Sequence, residues 1–481
     1  MSQAPVAAVV VLAAGGGTRM KSRRSKLLHE VCGHSMLSYA VDAARSAEPE
    51  HLVVVVGHQR EQVLEHLDEI AGDCRTAVQD EQLGTGHAVQ CGLADLPDLD
   101  GEIVVTYGDV PMLTGETITQ LVAFHREHAD QITVLTAEVG DPTGYGRVVR
   151  GEDGNVARIV EHRDATDDER AITEINSGIY VFDAAVLRAG LAEMKPDNDQ
   201  GELYLTDVIG YARGTGGRVG AYVIDDVWQT EGVNDRVQLA RMNAEVNRRN
   251  VERAMRNGVT VIDPATTWIH GEVDFGQDVT ILPDTQLLGA TSIADGATIG
   301  PATTLQNCEV GEGAEVVRSH CLFAMIGPFA QVGPFSYLRP NTVVGTKGKV
   351  GAFVETKNTR IGDGAKVPHL TYAGDAEIGE GANIGAGTIF ANYDGVSKSR
   401  TVVGKHSFVG SDSVLVAPVT IADGSYVAAG SAVTDDVAPG ELAVARGQQR
   451  NVAGWVSRRR AGTATEQAAL DAEKAAGKDT E

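Results

Sequence analysis

Basic residues are scarce: 41 lysines and arginines face 66 aspartates and glutamates, for a formal charge of −25. So acidic a chain is a poor match for nonspecific nucleic-acid binding, which needs phosphate neutralisation by cations, and for an anionic membrane. Any phosphate must be held locally, by backbone N–H groups and a few placed cations. Cysteine is sparse too. Cys32, Cys74, Cys91, Cys308 and Cys321 are odd in number and form no C-x-x-C pair. That argues against a disulfide framework or zinc cage and for a reducing compartment. No apolar run approaches the ~20 residues of a membrane helix. The opening Met-Ser-Gln-Ala-Pro lacks the basic segment of a signal peptide. A cytoplasmic protein, with no nucleic-acid partner and no membrane insertion, is the expectation.

The 481 residues suffice for about three compact units, or for two and a long repeat. Up to about residue 255 apolar runs alternate with helical stretches. Ala7–Leu12, His51–Val56, Ile103–Thr106 and Ile132–Ala137 read as strands, and Leu37–Ala47 and Glu61–Ile70 as helices. Such alternation predicts a mostly parallel sheet covered by helices. Gln229–Asn257 reads as a long closing helix.

After Asp263-Pro264 a period of six takes over. Ile281, Leu287, Ile293, Ile299 and Leu305 fall six apart; Val310, Val316 and Leu322 follow, then Ile326 to Val350, then Tyr372, Ile378, Ile384 and Phe390, then Val403 to Val433. Neither the helical nor the strand period generates this spacing. A triangular coil does, with one inward aliphatic per side and a small residue at each corner. This is the hexapeptide parallel β-helix, whose stacked coils bury one apolar column. A β-sandwich would show two-residue alternation instead. The phase breaks at Asn392–Arg400 (NYDGVSKSR), which predicts a loop extruded from one corner. The residues from about Arg458 onward show no apolar stripe and read as disordered or weakly helical.

Three polar features mark the first half. Leu12-Ala13-Ala14-Gly15-Gly16-Gly17 follows the first strand, with Arg19 and Lys26 beyond it. A glycine turn after such a strand can cradle phosphates, and two cations would offset their charge; alone, it serves equally as a tight turn. It is neither a Walker A loop nor G-x-G-x-x-G. Asp109 lies just past an apolar strand, where open α/β sheets bind ligands. It suits Mg²⁺, and equally a helix cap. Gln79 with Leu83-Gly84-Thr85-Gly86 forms a polar loop able to read a base edge, or simply a loop.

LAAGGGTRM with Lys26, QDEQLGTGHA, YGD, GYGR (Gly144–Arg147), VEHRDA (Val160–Ala165), EINSGIY and EGVND resemble the sugar-nucleotide pyrophosphorylases. Followed by a hexapeptide β-helix, the stretch from about Val9 to about Arg446 resembles the bacterial bifunctional N-acetylglucosamine-1-phosphate uridylyltransferase/glucosamine-1-phosphate N-acetyltransferases. The resemblance implies an α/β chain with a Rossmann-like nucleotidyltransferase domain (1–233). A helical linker (234–262) joins it to a left-handed β-helix acetyltransferase domain (263–446), with a partly disordered tail (447–481). It implies contacts to the uridine nucleotide from Leu12, Ala13, Ala14, Gly15, Gln79, Gly84 and Thr85, with Tyr107 and Gly108 in the same cleft. Gly146, Glu161 and Asn176 would meet the acetamido sugar. Arg19 and Lys26 would face the triphosphate, and Asp109 and Asn234 would bind Mg²⁺. The family usually has proline before that lysine; here Ser25 stands, so the loop lacks a fixed φ.

In the second half, acetylating an amine requires a base of near-neutral pKa, usually histidine. His369 lies where the six-residue phase slips. The resemblance makes it the general base, with Arg339, Lys357, Tyr372 and Asn383 holding glucosamine-1-phosphate. Ala386, Asn392, Tyr393, Ser411, Ala429 and Arg446 would contact acetyl-CoA. It also implies a homotrimer with sites at subunit boundaries. Trp455 with Arg458, Arg459 and Arg460 would cover the adenine and phosphates of CoA, or form a solvated tail. His29 and His34 flank Cys32 without metal-ligand spacing, and His51, His58, His125 and His128 read as surface residues.

The leading expectation is therefore an enzyme making UDP-N-acetylglucosamine from glucosamine-1-phosphate, acetyl-CoA and UTP. A monofunctional pyrophosphorylase whose β-helix only assembles or regulates would not need the polar cluster around His369. A nucleotide-sensing scaffold would not need Asp109 and Asn234.

Overall fold

The computed structural model describes residues 5–196 and 201–478 and divides into two compact units, Met1–Thr291 and Ser292–Glu481. The first is built on a twisted sheet ordered Val219–Ile224, Ile132–Glu138, Glu174–Asp183, Glu102–Tyr107, Ala8–Ala13, His51–Val56, Arg75–Val78. Only Glu174–Asp183 runs antiparallel to its neighbours in this order. Ala8–Ala13 is buried along its whole length, as a central strand covered on both faces must be. Val10, Val55 and Val105 pack into one apolar layer and Val9, Val54 and Val104 into the other. A short hairpin, Arg147–Arg150 with Val156–Val160, hangs from Glu174–Asp183.

The expected strands stand within a residue or two of their places. The long helix differs: it runs Arg236–Arg256, not from Gln229. Asp235 starts it by accepting the N–H groups of Val237 and Gln238, both at 2.9 Å, as an N-cap does. Val227–Thr230 is a separate 3₁₀ turn, which frees Glu231–Asn234 to form a loop. His125 is a second correction. It is buried, with Nδ1 2.9 Å from the Thr133 hydroxyl, which donates to Asp130 Oδ2 at 2.9 Å.

The repeat begins in the first unit, where Thr260–Val261 pairs with Thr280–Ile281 and Trp268–Ile269 with Gln286–Leu288. In the second unit every third strand pairs in parallel, so each side of the coil becomes one sheet, up to Leu442–Ala443. This is the hexapeptide β-helix. Ile299, Leu305, Val316, Leu338, Ile384, Phe390, Val409 and Leu415 point inward and are buried. Two expected inward residues do not. Leu322 and Tyr372 are only half-buried, and Cys321 and Ala373 take their places with no exposed surface. A side shortened to five residues shifts the inward position by one. Asn392–Arg400 forms the extruded loop, closed by a Tyr393–Lys398 bridge. Trp455–Arg459 and Ala464–Lys478 are helical.

Burial pushes the His125 pKa down to about 4. The unfolded chain takes up this proton near the ordinary value of about 6.5. The neutral ring's contribution is therefore complete above pH 6.5 and is lost as pH falls towards 4, by about 3 kcal/mol in all. Urea unfolding at pH 7 and pH 4.5 should show this loss in the native protein and a smaller one in His125→Gln.

Candidate functional site

In the first unit, segments leaving the carboxyl ends of parallel strands wall a cavity. Leu12 to Gly15 come from the central strand, Gln79 follows Arg75–Val78, and Tyr107 and Asp109 follow Glu102–Tyr107. Gly84 and Thr85 enter from the start of the helix Thr85–Leu93, and Lys26 from the 3₁₀ turn Lys26–Leu28. Gly108 completes the junction, its N–H donating to Leu12 O at 3.0 Å. Gly17 brings the lysine close. It sits at φ 55, and a Cβ there would lie 2.7 Å from Lys26 Cβ, so both the left-handed backbone and the approach need glycine. A Cβ on Gly15, by contrast, would meet nothing within 4 Å; the space in front of it is the cavity.

The Lys26 ammonium donates to the Asp109 carboxylate and, at 3.2 Å, to Asn234 Oδ1. Val233 N–H donates to Asp109 O at 3.0 Å, and Asn234 N–H to Gln238 Oε1 at 2.7 Å, which fixes the Glu231–Asn234 loop. Two oxygen donors thus converge on one cation position. Among the described residues no group of three or more His, Cys, Asp or Glu could hold a metal. One carboxylate with one amide oxygen does not suit zinc. It fits Mg²⁺, which keeps waters and takes phosphate oxygens for the rest of its shell.

A second cavity adjoins the first, sharing Thr85, Tyr107 and Glu202 with it. Glu161 and Asn176 line it, and so does Arg19, which the cavity next to the glycine turn lacks. Asn176 Oδ1 accepts from Gly178 N–H and the Tyr180 hydroxyl, each at 3.0 Å, leaving its NH₂ for a ligand. A Cβ on Gly146 would stand 3.5 Å from both Asn176 Cβ and Glu161 Oε1. Burial, and then the charge of Asp164, holds the Glu161 carboxyl above the usual carboxylate range. Burial likewise raises the Tyr107 phenol, with Asp109 and Glu161 adding to it.

In the second unit the candidate residues stack on successive coils. Arg339 N–H donates to Thr356 O at 2.9 Å, Lys357 pairs with Gly374, and Glu355 with Tyr372, so Arg339, Lys357 and Tyr372 share one side. Arg339 also reaches Glu355 Oε1 at 2.9 Å. His369 is exposed on the adjoining side, next to a corner at Leu370 (φ 50). Above it runs a chain of coil-to-coil bonds. Gly387 N–H donates to His369 O at 3.4 Å, Asp412 N–H to Ala386 O at 2.7 Å, Gly430 N–H to Ser411 O at 2.8 Å, and Arg446 Nη1 to Ala429 O at 3.0 Å. His369, Ala386, Ser411, Ala429 and Arg446 therefore mark one edge of the prism. Asn383 is on the same side as His369 but pairs with Lys366, three residues away. Asn392 is buried at the foot of the extruded hairpin and Tyr393 is exposed on it. In the tail, the Arg460 guanidinium lies over the Trp455 ring at 5.1 Å.

A nucleotidyl transferase family profile matches residues 8–241. Similar along their whole lengths are proteins named bifunctional protein GlmU. That of Corynebacterium aurimucosum is 55% identical, covering 100% of this chain and 99% of its own. That of Pseudarthrobacter chlorophenolicus is 56% identical, covering 95% and 94%. That of Streptomyces avermitilis is 55% identical, covering 98% of each. The chain belongs to the bifunctional GlmU family.

For a GlmU-family chain, the departure at Ser25 has a structural answer. Ser25 keeps φ −53, close to a proline value. Its N–H, which proline would lack, donates to Gln62 Oε1 at 3.0 Å, while Gln62 Nε2 donates to Arg23 O at 3.1 Å. A hydrogen-bonded clamp replaces the ring. Three polar groups escaped sequence reasoning. Gln82 ties its own polar loop to the glycine turn, Nε2 donating to Ala14 O at 2.7 Å. Glu202 lines both cavities. Lys398, on the hairpin, lies close to Lys357, and its charge with that of Arg339 holds the Lys357 ammonium below its ordinary pKa. Gln82 and Lys398 lie inside motifs already singled out, QDEQLGTGHA and NYDGVSKSR; what was missing was their direction.

Because the Glu161 carboxyl is raised, falling pH protonates it before an exposed glutamate. Calorimetric titration with UDP-N-acetylglucosamine from pH 8 to pH 5 should show weakening affinity. Glu161→Gln should bind more weakly at pH 8 and with a flatter profile; parallel profiles would remove Glu161 from the sugar.

Proposed function

We propose that the chain makes UDP-N-acetylglucosamine in two steps at two sites: acetyl transfer to glucosamine-1-phosphate in the β-helix, then uridylyl transfer in the α/β domain. The observation that carries it is the family, bifunctional along the whole chain, together with one cluster of chemistry-bearing residues around the cavities of the first unit and another on the coils of the second. We assign residues 1–233 to uridylyl transfer, 234–262 to the linker, 263–446 to acetyl transfer and 447–481 to the tail.

For uridylyl transfer, the phosphate oxygen of N-acetylglucosamine-1-phosphate attacks the α-phosphorus of UTP and pyrophosphate leaves. Two anions must approach, so the work is positioning and neutralisation, with no protein nucleophile. Gln79 Nε2 donates to Gly84 O at 3.0 Å, which leaves Oε1 as its acceptor. That acceptor suits the N3–H of uracil and repels the bare N3 of cytosine. Asp109 and Asn234 would hold Mg²⁺, whose charge offsets that of the phosphate oxygens. Lys26 and Arg19 supply further positive charge, and Glu161 and Asn176 hold the acetamido sugar.

For acetyl transfer, His369 takes the proton from the amine of glucosamine-1-phosphate, and the freed nitrogen attacks the acetyl-CoA thioester directly, the C–S bond breaking as CoA leaves as its thiol. Arg339, Lys357 and Lys398 gather positive charge for the sugar phosphate, with Tyr372 on the same side of the coil and Asn383 on the side of His369. Acetyl-CoA lies along the edge marked by Ala386, Ser411, Ala429 and Arg446, with Asn392 and Tyr393, which leave another corner of the prism, brought to it from a neighbouring copy. That edge is open on one chain and adjoins exposed Phe335 and Phe353, stacked at 5.3 Å, and Leu370. A homotrimer that covers it completes the reading, in the cytoplasm, where acetyl-CoA and UTP are found.

The test is a pair of separate assays on two variants: acetyl transfer from acetyl-CoA to glucosamine-1-phosphate, and uridylyl transfer from UTP to supplied N-acetylglucosamine-1-phosphate. His369→Ala should slow acetyl transfer by about 10²–10⁴-fold and spare uridylyl transfer. Asp109→Ala should do the reverse, by about 10²-fold or more. Loss of both activities in either variant would contradict separate sites.

A further inference from the structure

The extruded hairpin leaves the prism at a corner with its own regularity. Asn341, Asn358, Asp375 and Asn392 recur every 17 residues, one turn of the coil. The first three hold left-handed corners, at φ 64, 46 and 49, a conformation that Asn and Asp adopt more readily than other side chains. Asp375 lies between two amides. Asn358 Nδ2 donates to its Oδ1 and Asn392 Nδ2 to its Oδ2, both at 2.6 Å. Asn392 is buried, so water does not readily replace the carboxylate as its partner.

The same strand grips the other foot of the hairpin. Thr401 N–H donates to Asp375 O at 3.2 Å, and Arg400 Nη2 meets Glu377 Oε2 at 2.8 Å. Between its feet the hairpin is closed on itself. Ser399 N–H donates to Asn392 O at 2.9 Å, and Asp394 Oδ1 accepts from Val396 N–H at 2.8 Å and Ser397 N–H at 2.7 Å. A unit so closed moves as a body, and its feet decide where it points.

We infer that Asp375 is a positioning residue for acetyl transfer: its carboxylate, bridging Asn358 and Asn392, sets the direction in which the hairpin presents Asn392, Tyr393 and Lys398 to the substrates. The inference rests on the acetyltransferase reading of the second unit. Hydrogen bonds to a carboxylate are strong, and without them the hairpin must be ordered at the moment of binding. His369 belongs to a different corner. Loss of the bridge therefore falls on binding more than on proton transfer.

Asp375→Asn keeps the shape but opposes one NH₂ to another, losing one bond and leaving a donor unpaired. KM for acetyl-CoA and for glucosamine-1-phosphate should rise by about tenfold, with kcat within about threefold and uridylyl transfer unchanged. Amide exchange of residues 392–400, measured without substrates, should quicken. The double variant Asp375→Asn/Asn392→Ala should be no worse than Asn392→Ala alone. Glu377→Gln, at the other foot, should move KM and exchange the same way by less. Unchanged exchange in both variants would overturn the clamp, and quicker exchange with unchanged KM, or additive losses in the double variant, would overturn its role in positioning. A native protein without acetyl transfer would overturn the reading of the second unit while leaving the exchange result standing.

Discussion

Parallel pairing is the constraint on which both sites depend. Parallel strands put like ends on one edge, so segments far apart in sequence deliver their following residues to one place. In the first unit this gathers Gly15, Gln79 and Asp109 around a single cavity. In the second, parallel stacking of coils does the same for corners: His369, Ala386, Ser411 and Ala429 stand one above another because each coil repeats the last. An antiparallel arrangement would scatter both sets.

The acidity of the chain sharpens what these edges must do. With a net charge of −25, long-range attraction does not deliver phosphorylated substrates, and binding rests on cations placed at short range. The first site holds Lys26 against Asp109 and Asn234, oxygen donors that fit a hard metal ion. The second sets Lys357 beside Lys398 and Arg339, close enough to lower its pKa. Like charges are gathered there at some cost, which an anion offsets.

Rigid support comes from a few side chains that hold other segments in place. Gln62 holds the backbone of Ser25 where a ring is missing. Gln82 binds two loops of the first cavity to each other. Asp375 holds a corner and a hairpin at once. Each is a polar group that spans two segments, at least one of them irregular, so no ladder of backbone bonds would do the same work.

Much was legible in the residues alone. The six-residue period names a β-helix because no other regular structure produces it, and the glycine turn, the acid after a strand and the polar loop mark the strand ends where the cavity lies. The slips were not legible. Leu322 and Tyr372 are the larger apolar choices, yet Cys321 and Ala373 face inward, because a shortened side rotates the chain by one residue and composition does not record that rotation. His125 read as a surface residue in the sequence; Thr133 supplies it a buried partner. The 17-residue recurrence of Asn and Asp was visible in the sequence, but its meaning was not: a repeat says which residues are equivalent, and only the stacked backbone decides which equivalent side chains touch.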